Sequence, residues 1–361
     1  MHTVDLCLWQ QTLLSHKGCF YMNPAKFSFP AVKGIQANME YYVTMVPLDC
    51  IPKLFTFSDE NLPPEVRSQR TLNKSRIPEM CNYILQNPSS YVFSALTASI
   101  DGEVSFDPTN EENSTMGILS ISMSAKLLIN DGQHRKAAIE AALKRNPNLK
   151  YEHISMVLYH DIGLKRSQQM FSDLNRFAIR PTQSLNILYD TRGKNSILVK
   201  QVIDSIPGFN TLVDKEHTSV PNRSIALFTL SAFYRGTTAL LKNLDMSPEE
   251  QRDFAIKYWT TVYENMPEWQ KVNNGEVKSS VIRKESLSPL SITIKALGEI
   301  GNSFYVKYPK TWDKKLKKLK KIDWSKSNRN WANGIIVNGS VQLSRATQQE
   351  MINKIEKTLT E

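Results

Sequence analysis

The chain is poor in cysteine, in histidine and in every short signature that holds a nucleotide or a metal through a fixed loop. Its four cysteines, Cys7, Cys19, Cys50 and Cys81, all fall in the first quarter of 361 residues and form no CxxC or Cys/His pair at zinc spacing. That excludes a zinc module and a disulfide framework, and it predicts a cytoplasmic protein in a reducing compartment. No GxGxxG follows an early strand and there is no GxxxxGK[ST], which argues against a dinucleotide-binding domain and a P-loop ATPase. Neither HExxH nor a nucleophile elbow is present, and no carboxylate pair stands at metal spacing near His134, so no metal centre is expected. No run approaches the ~20 consecutive apolar residues that span a membrane. Residues 1–21 lack the basic start and small-residue cleavage site of a signal peptide.

What is present is an ordinary globular composition with a surplus of positive charge. With 41% hydrophobic and 22% charged residues the chain has material for a real core, and its length predicts two domains. It carries 45 Lys+Arg against 35 Asp+Glu, a formal charge of +10. That surplus favours polyanionic partners such as nucleic acid without selecting one.

Polar chemistry concentrates at Asp131-Gly132-Gln133-His134-Arg135, between an apolar run over 120–129 and an alanine-rich helical run over 136–143. A strand-to-helix junction is expected there. The first N–H groups of a helix have no internal partner and sit at the positive end of its dipole, so they attract phosphate or carboxylate. Gly132 permits a sharp turn and a close approach, Arg135 can fork two donors onto a phosphate, and His134 can donate or accept. A plainer role fits equally: Asp131 caps the helix and Arg135 is a surface residue.

These residues, followed by Lys-Ala-Ala, resemble the signature of the DGQHR-domain proteins, whose best-known branch is the DndB family of DNA phosphorothioation systems. Tyr41-Tyr42-Val43-Thr44-Met45-Val46-Pro47-Leu48 and Phe171-Ser172-Asp173-Leu174-Asn175-Arg176-Phe177 are similar to that family as well. The resemblance begins at Met22, which would make 1–22 a leader or upstream extension. More distantly, strand, Gly-x-x-Arg, helix, strand and a helix ending in Asn-Arg resemble the ParB/sulfiredoxin superfamily. That resemblance implies an α/β domain over 23–183 with a mixed sheet, in which Asn175 and Arg176 pack back toward 131–135 to complete a phosphate or nucleotide site, and a nucleoside triphosphate with Mg as the cofactor if one is used. The DndB resemblance implies a DNA-binding repressor of a DNA sulfur-modification gene cluster. Its partners would be promoter DNA, other modification proteins and a second copy of the chain. The alternative is a nucleotide-switched accessory protein, or an NTPase or nuclease with Asp131 and His134 in catalysis.

Elsewhere the pattern predicts an extended segment over 39–57, a helix over 77–86, strands over 91–100 and 154–159, and a helix over 164–175. Pro181 is expected at N1 of the next helix, with Arg180 just before it as a DNA contact. Residues 184–361 read as an all-α domain, with helices over 185–190, 197–206, 225–241, 248–265 and 290–308. In segment 312–324, Lys314, Lys315, Lys317, Lys318, Lys320 and Lys321 surround Leu316, Leu319 and Ile322 at a spacing of three. A cationic face bracketed by two tryptophans suits DNA phosphates, and it equally suits a solvated surface helix. Arg223 is placed outward on the first turn of a helix that Asn222 or Ser224 would cap, with base readout as its other role. Cys50 is read as a buried small hydrophobe at a strand end, or as a DNA-contact or redox residue.

Overall fold

The computed structural model describes residues 25–55, 72–110, 114–160, 164–176, 181–332, 334–337, 340–342 and 344–361. The leader over 1–22, with Cys7 and Cys19, and Arg180 lie outside the described residues. The chain divides into two compact units, Met1–Ala178 and Ile179–Glu361.

In the first unit, β1 (Lys26–Gln36) and β2 (Met39–Pro47) form a hairpin whose two turn residues, Ala37 and Asn38, both take positive φ, the geometry that matches strand twist. There follow α1 (Ile51–Leu54), α2 (Ile77–Gln86), β3 (Leu96–Asp101), β4 (Val104–Pro108), β5 (Met116–Ser122), β6 (Lys126–Asp131), α3 (Gln133–Arg145), β7 (His153–His160) and α4 (Leu164–Arg176). The seven strands make one mixed sheet in the order β4-β5-β1-β2-β7-β3-β6, with β3 and β7 parallel and the other neighbours antiparallel.

Strand alternation decides which face is covered. Phe29 and Ala31, Tyr42 and Val46, Leu119 and Ile121, and Ile154, Met156 and Leu158 are buried in one cluster with Cys81 and Ile84 of α2 and Ala138, Ile139 and Ala142 of α3. On the other face Val32, Val43, Met45, Met116 and Ile118 stay exposed. β3 is buried from Leu96 to Ile100. Its Ser99 hydroxyl donates to Asn130 Oδ1 (2.9 Å), and Asn130 Nδ2 donates to Ser167 O of α4 (3.3 Å). These three polar residues are buried but satisfied, which fixes the first turn of α4 beside the end of β6.

The second unit runs α5 (Gln183–Tyr189), α6 (Lys194–Ser205), α7 (Phe209–Leu212), α8 (Leu230–Leu240), α9 (Pro248–Glu264), α10 (Pro267–Asn273), α11 (Ser279–Glu285), α12 (Ser291–Lys307), α13 (Trp312–Leu316) and α14 (Arg345–Thr360). Its core is aromatic: Phe209, Phe228, Phe233, Trp259 and Trp269 meet edge to face, tilted or, for Phe228 and Phe233, stacked, at centroid distances from 4.7 to 6.4 Å. α8 crosses α12 at Gly236 and Gly298, so closely that a Cβ on Gly298 would lie 2.0 Å from Gly236 O.

Several expectations are corrected. The extended segment ends at Pro47, because residues 48–54 turn into a 3-10 and an α-helical turn and bury Leu48, Ile51 and Leu54. Residues 120–129 are two strands, not one, with the 122–125 turn between β5 and β6. The strand expected over 91–100 starts only at Leu96. Pro181 precedes the cap: Thr182 is the N-cap of α5, its hydroxyl accepting from Leu185 N–H. The helix expected over 225–241 begins at Leu230. Residues 228–229 instead form β9 and pair in parallel with β8 (Val213–Asp214). A second small ladder, β10 (Ile336–Val337) with β11 (Ser340–Val341), also departs from an all-α segment.

One acidic residue, Asp190, ties a turn of this unit. Asp190 accepts from the backbone N–H groups of Gly193 (2.8 Å) and Arg192 (3.0 Å), and those bonds hold its carboxyl below the usual range. A carboxylate whose folded pKa is depressed stabilises the fold above its unfolded value, about 4, and that contribution disappears as pH falls through the folded value. Thermal unfolding at pH 5 and pH 3 will therefore show a smaller acid-induced loss in Asp190→Asn than in the parent. An equal loss in both would remove Asp190 from the account.

Candidate functional site: the 131–135 junction and the basic surface

β6 ends on Asp131 and α3 begins two residues later, with only Gly132 between them. Gly132 has φ +100°, and a Cβ there would lie 2.5 Å from Leu96 Cδ2, so both conformation and space demand glycine. It is the N-cap of α3 and supplies no side-chain cap. The helix therefore starts at Gln133, three residues before the alanine-rich run, and Asp131 is not its cap. The Asp131 carboxylate instead pairs with the Arg135 guanidinium one turn on.

Arg135 is directed inward. Its side chain is 14% exposed, and Nη1 donates to Ser94 O (2.7 Å), to Ala95 O (2.5 Å) and to the Ser94 hydroxyl, while Nη2 holds Asp131. It is not the surface arginine of the plainer reading. His134 is buried, and its Nε2 accepts the backbone N–H of Asn73 at 3.2 Å. A ring nitrogen that accepts carries no proton, so the neutral ring is protonated on Nδ1. The signature residues thus fasten residue 73 and residues 94–95 to the end of β6. Gln133 is half-buried on the first turn of α3.

Asn175 and Arg176 lie on the exposed last turn of α4, and Asn175 Nδ2 donates to Phe171 O at 2.8 Å within the same helix. The end of α4 that meets β6 is the first turn, through Ser167. At 1.5 Å per residue Asn175 stands about 12 Å along the axis from that contact. Asn175 and Arg176 thus stand on the exposed end of α4, away from the Ser167 contact.

The lysine segment is a short helix that changes kind. α13 gives way at Lys317 to a 3-10 helix over Lys317–Lys321. Three residues per turn is the period that puts Leu316 and Leu319, both fully buried, on one line with half-buried Ile322. Lys314, Lys317, Lys320 and Lys321 are exposed, and Lys315 and Lys318 are half-buried, with Lys315 Nζ 4.2 Å from the Tyr308 ring centroid. The bracketing tryptophans do not join the cationic face. Trp312 and Trp324 are buried, and Trp324 stacks on Trp331 at 5.7 Å.

Arg223 is exposed on a turn, not on a helix. That turn is held by Arg283, whose guanidinium donates to the carbonyls of Pro221 (2.9 Å), Asn222 (2.9 Å), Ser224 (3.0 Å) and Ala226. Burial pushes the Arg283 pKa down, and the Asp214 carboxylate acts in the opposite sense. Cys50 is half-buried in the 3-10 turn that precedes α1, not at a strand end, and its Sγ lies 3.7 Å from Asp49 Oδ1.

Among the described residues no group of three His, Cys, Asp or Glu side chains is placed to hold a metal ion, and no helix is long and apolar enough to cross a membrane. Sequence reasoning missed Asn73, Ser94, Ser99, Ser167 and Arg283. The first two contact the signature from 61 and 41 residues away, a separation at which no local pattern registers.

Comparison with curated proteins and with solved structures gives no match. A family model for DNA-sulfur modification-associated proteins matches residues 29–361, nearly the whole chain, across both the sheet with its signature junction and the helical unit with its basic segment. The chain belongs to the DndB family, and so to the proteins of DNA sulfur modification.

Proposed function

We propose that the protein is a DNA-binding transcriptional regulator, a repressor of the gene cluster for DNA phosphorothioation. The observation that carries this reading is the basic segment: buried Leu316 and Leu319 clamp it to the helical core, while Lys314, Lys317, Lys320 and Lys321 stand exposed on a chain of net charge +10. A rigidly held row of lysines neutralises backbone phosphates and releases their counterions. Exposed Arg223, on a turn fixed by Arg283, supplies a fork that suits a base edge or a phosphate. The alternative, a nucleotide-switched ParB-like protein, draws no support from Arg135, whose Nη atoms bond Ser94, Ala95 and Asp131.

The test is binding of the full chain to its own upstream promoter and to a scrambled duplex, at low and high salt, with and without CTP, ATP or GTP. Promoter-selective binding without nucleotide is expected. Replacing the four exposed lysines by glutamine will reduce the slope of log affinity against log salt by about 3 to 4, on both duplexes alike. Sequence-blind binding that requires a nucleotide would overturn the regulator in favour of the switch.

A further inference from the structure

The signature arginine does more than close a turn. The segment it grips, Ser94–Ala95, is the stem of the 88–93 loop, and that loop forms one wall of a cavity of about 500 Å³. The cavity opens at the end of the sheet where β2 leaves and β7 enters, since Pro47 pairs with His153 there. Met45, Leu48, Val92 and Phe93 give it apolar walls, and Glu152 and Ser155 give it polar ones. Phe93 packs between two neighbouring rings, tilted on Tyr83 at 5.9 Å and edge to face with Tyr91 at 5.8 Å. The Tyr91 hydroxyl donates to Glu152 Oε2 and so orients the carboxylate.

Charge decides which ligand suits this cavity. No lysine or arginine lines it; its titratable side chains are Glu152, His153 and Tyr91, and with the Glu152 carboxylate facing in, a group that brings hydrogen-bond donors suits it better than a phosphate. A flat, largely apolar group that brings N–H donors is favoured, because its face meets Phe93 and Val92 while its edge donates to Glu152. Its volume lies within the range of small-molecule sites.

We propose that this cavity takes one unstacked nucleobase bearing an exocyclic amino group, cytosine being the smallest. The inference rests on the reading of the protein as DNA-binding. The cavity would read a base that has left the stack. Arg135 is here a positioning residue, acting through Ser94 and Ala95.

The experiment compares the full chain's affinity, at one salt concentration, for a paired duplex and for the same duplex with a single bulged cytosine. Saturation-transfer NMR with free 2′-deoxycytidine is run alongside. The bulged duplex should bind about tenfold more tightly, within what stacking one base on an aromatic side chain contributes. Phe93→Ala and Glu152→Leu, which removes the acceptor, should each abolish that preference and the transfer to deoxycytidine, with paired-duplex affinity unchanged. Glu152→Leu decides if Phe93→Ala fails to fold. Equal affinity for the two duplexes, or a preference kept in Glu152→Leu, overturns the proposal. If neither duplex binds while deoxycytidine still does, the regulator fails and the pocket stands. If the paired promoter binds without any bulge preference, the pocket alone fails.

Discussion

Arg135→Ala will lower the stability of the sheet unit by about 3 kcal/mol, because hydrogen bonds to a charged group contribute roughly 1.5 to 3 kcal/mol each and are not additive. The side chain is 14% exposed and joins Ser94, Ala95 and Asp131, so its removal leaves two carbonyls and a carboxylate without their donor. In a unit of this size that corresponds to a fall of roughly 6 to 12 °C in Tm, measurable by calorimetry. Arg135→Lys will recover only part of the loss, since an ammonium cannot fork to the Ser94–Ala95 stem and to Asp131 together. The result separates two accounts of the signature. A phosphate-binding arginine would be lost with little change in Tm and a large change in ligand affinity. A structural clamp gives the reverse.

Gly298→Ala is expected to cost the helical unit at least as much, about 3 kcal/mol. Alanine is the better helix former by roughly 1 kcal/mol, so propensity alone predicts stabilisation. The crossing decides otherwise: the new methyl would lie 2.0 Å from Gly236 O, a backbone atom that cannot rotate away. α8 and α12 must separate, and with them the buried Phe233 and Leu297. Gly236→Ala should be milder, because its Cβ would meet Ile294 O at 2.7 Å. Chemical denaturation of the two variants should rank them in that order, and a Gly298→Ala protein as stable as the parent would refute the close crossing.

Local signals were legible where one residue type dictates one geometry. Pro78 in a first turn and apolar residues at helical spacing located α2 at Ile77–Gln86, and the β-branched run at 154–159 located β7 within one residue at each end. The mixed α/β architecture followed from such pieces. Boundaries failed where a single residue overrode its neighbours. Gly132 lets α3 start directly off the strand and takes the N-cap position expected for Asp131. Residues 225–229 carry a helical pattern, yet Arg283 and strand β8 hold them extended. The three-residue spacing of Leu316, Leu319 and Ile322 was itself the 3-10 period, and it was read as the edge of an α-helix. At the junction, the residue types were visible and their direction was not. Whether Arg135 points to solvent or to Ser94 depends on a loop some 40 residues earlier in the chain.

The strand order also sets when the fold can form during synthesis. β1 and β2 are adjacent in sequence and zip at once, but β2 and β3 are separated in the sheet by β7, whose residues 153–160 are made last among the strands. Until that segment has left the ribosome, the growing sheet consists of two pieces, β4-β5-β1-β2 and the β3-β6 pair, each with an open hydrogen-bonding edge. Arrival of β7 joins them through the parallel pairing with β3, a long-range closure that is slow for its high contact order. The nascent first unit is consequently exposed to strand-to-strand association, whereas the helical unit that emerges after it is assembled from shorter-range packing.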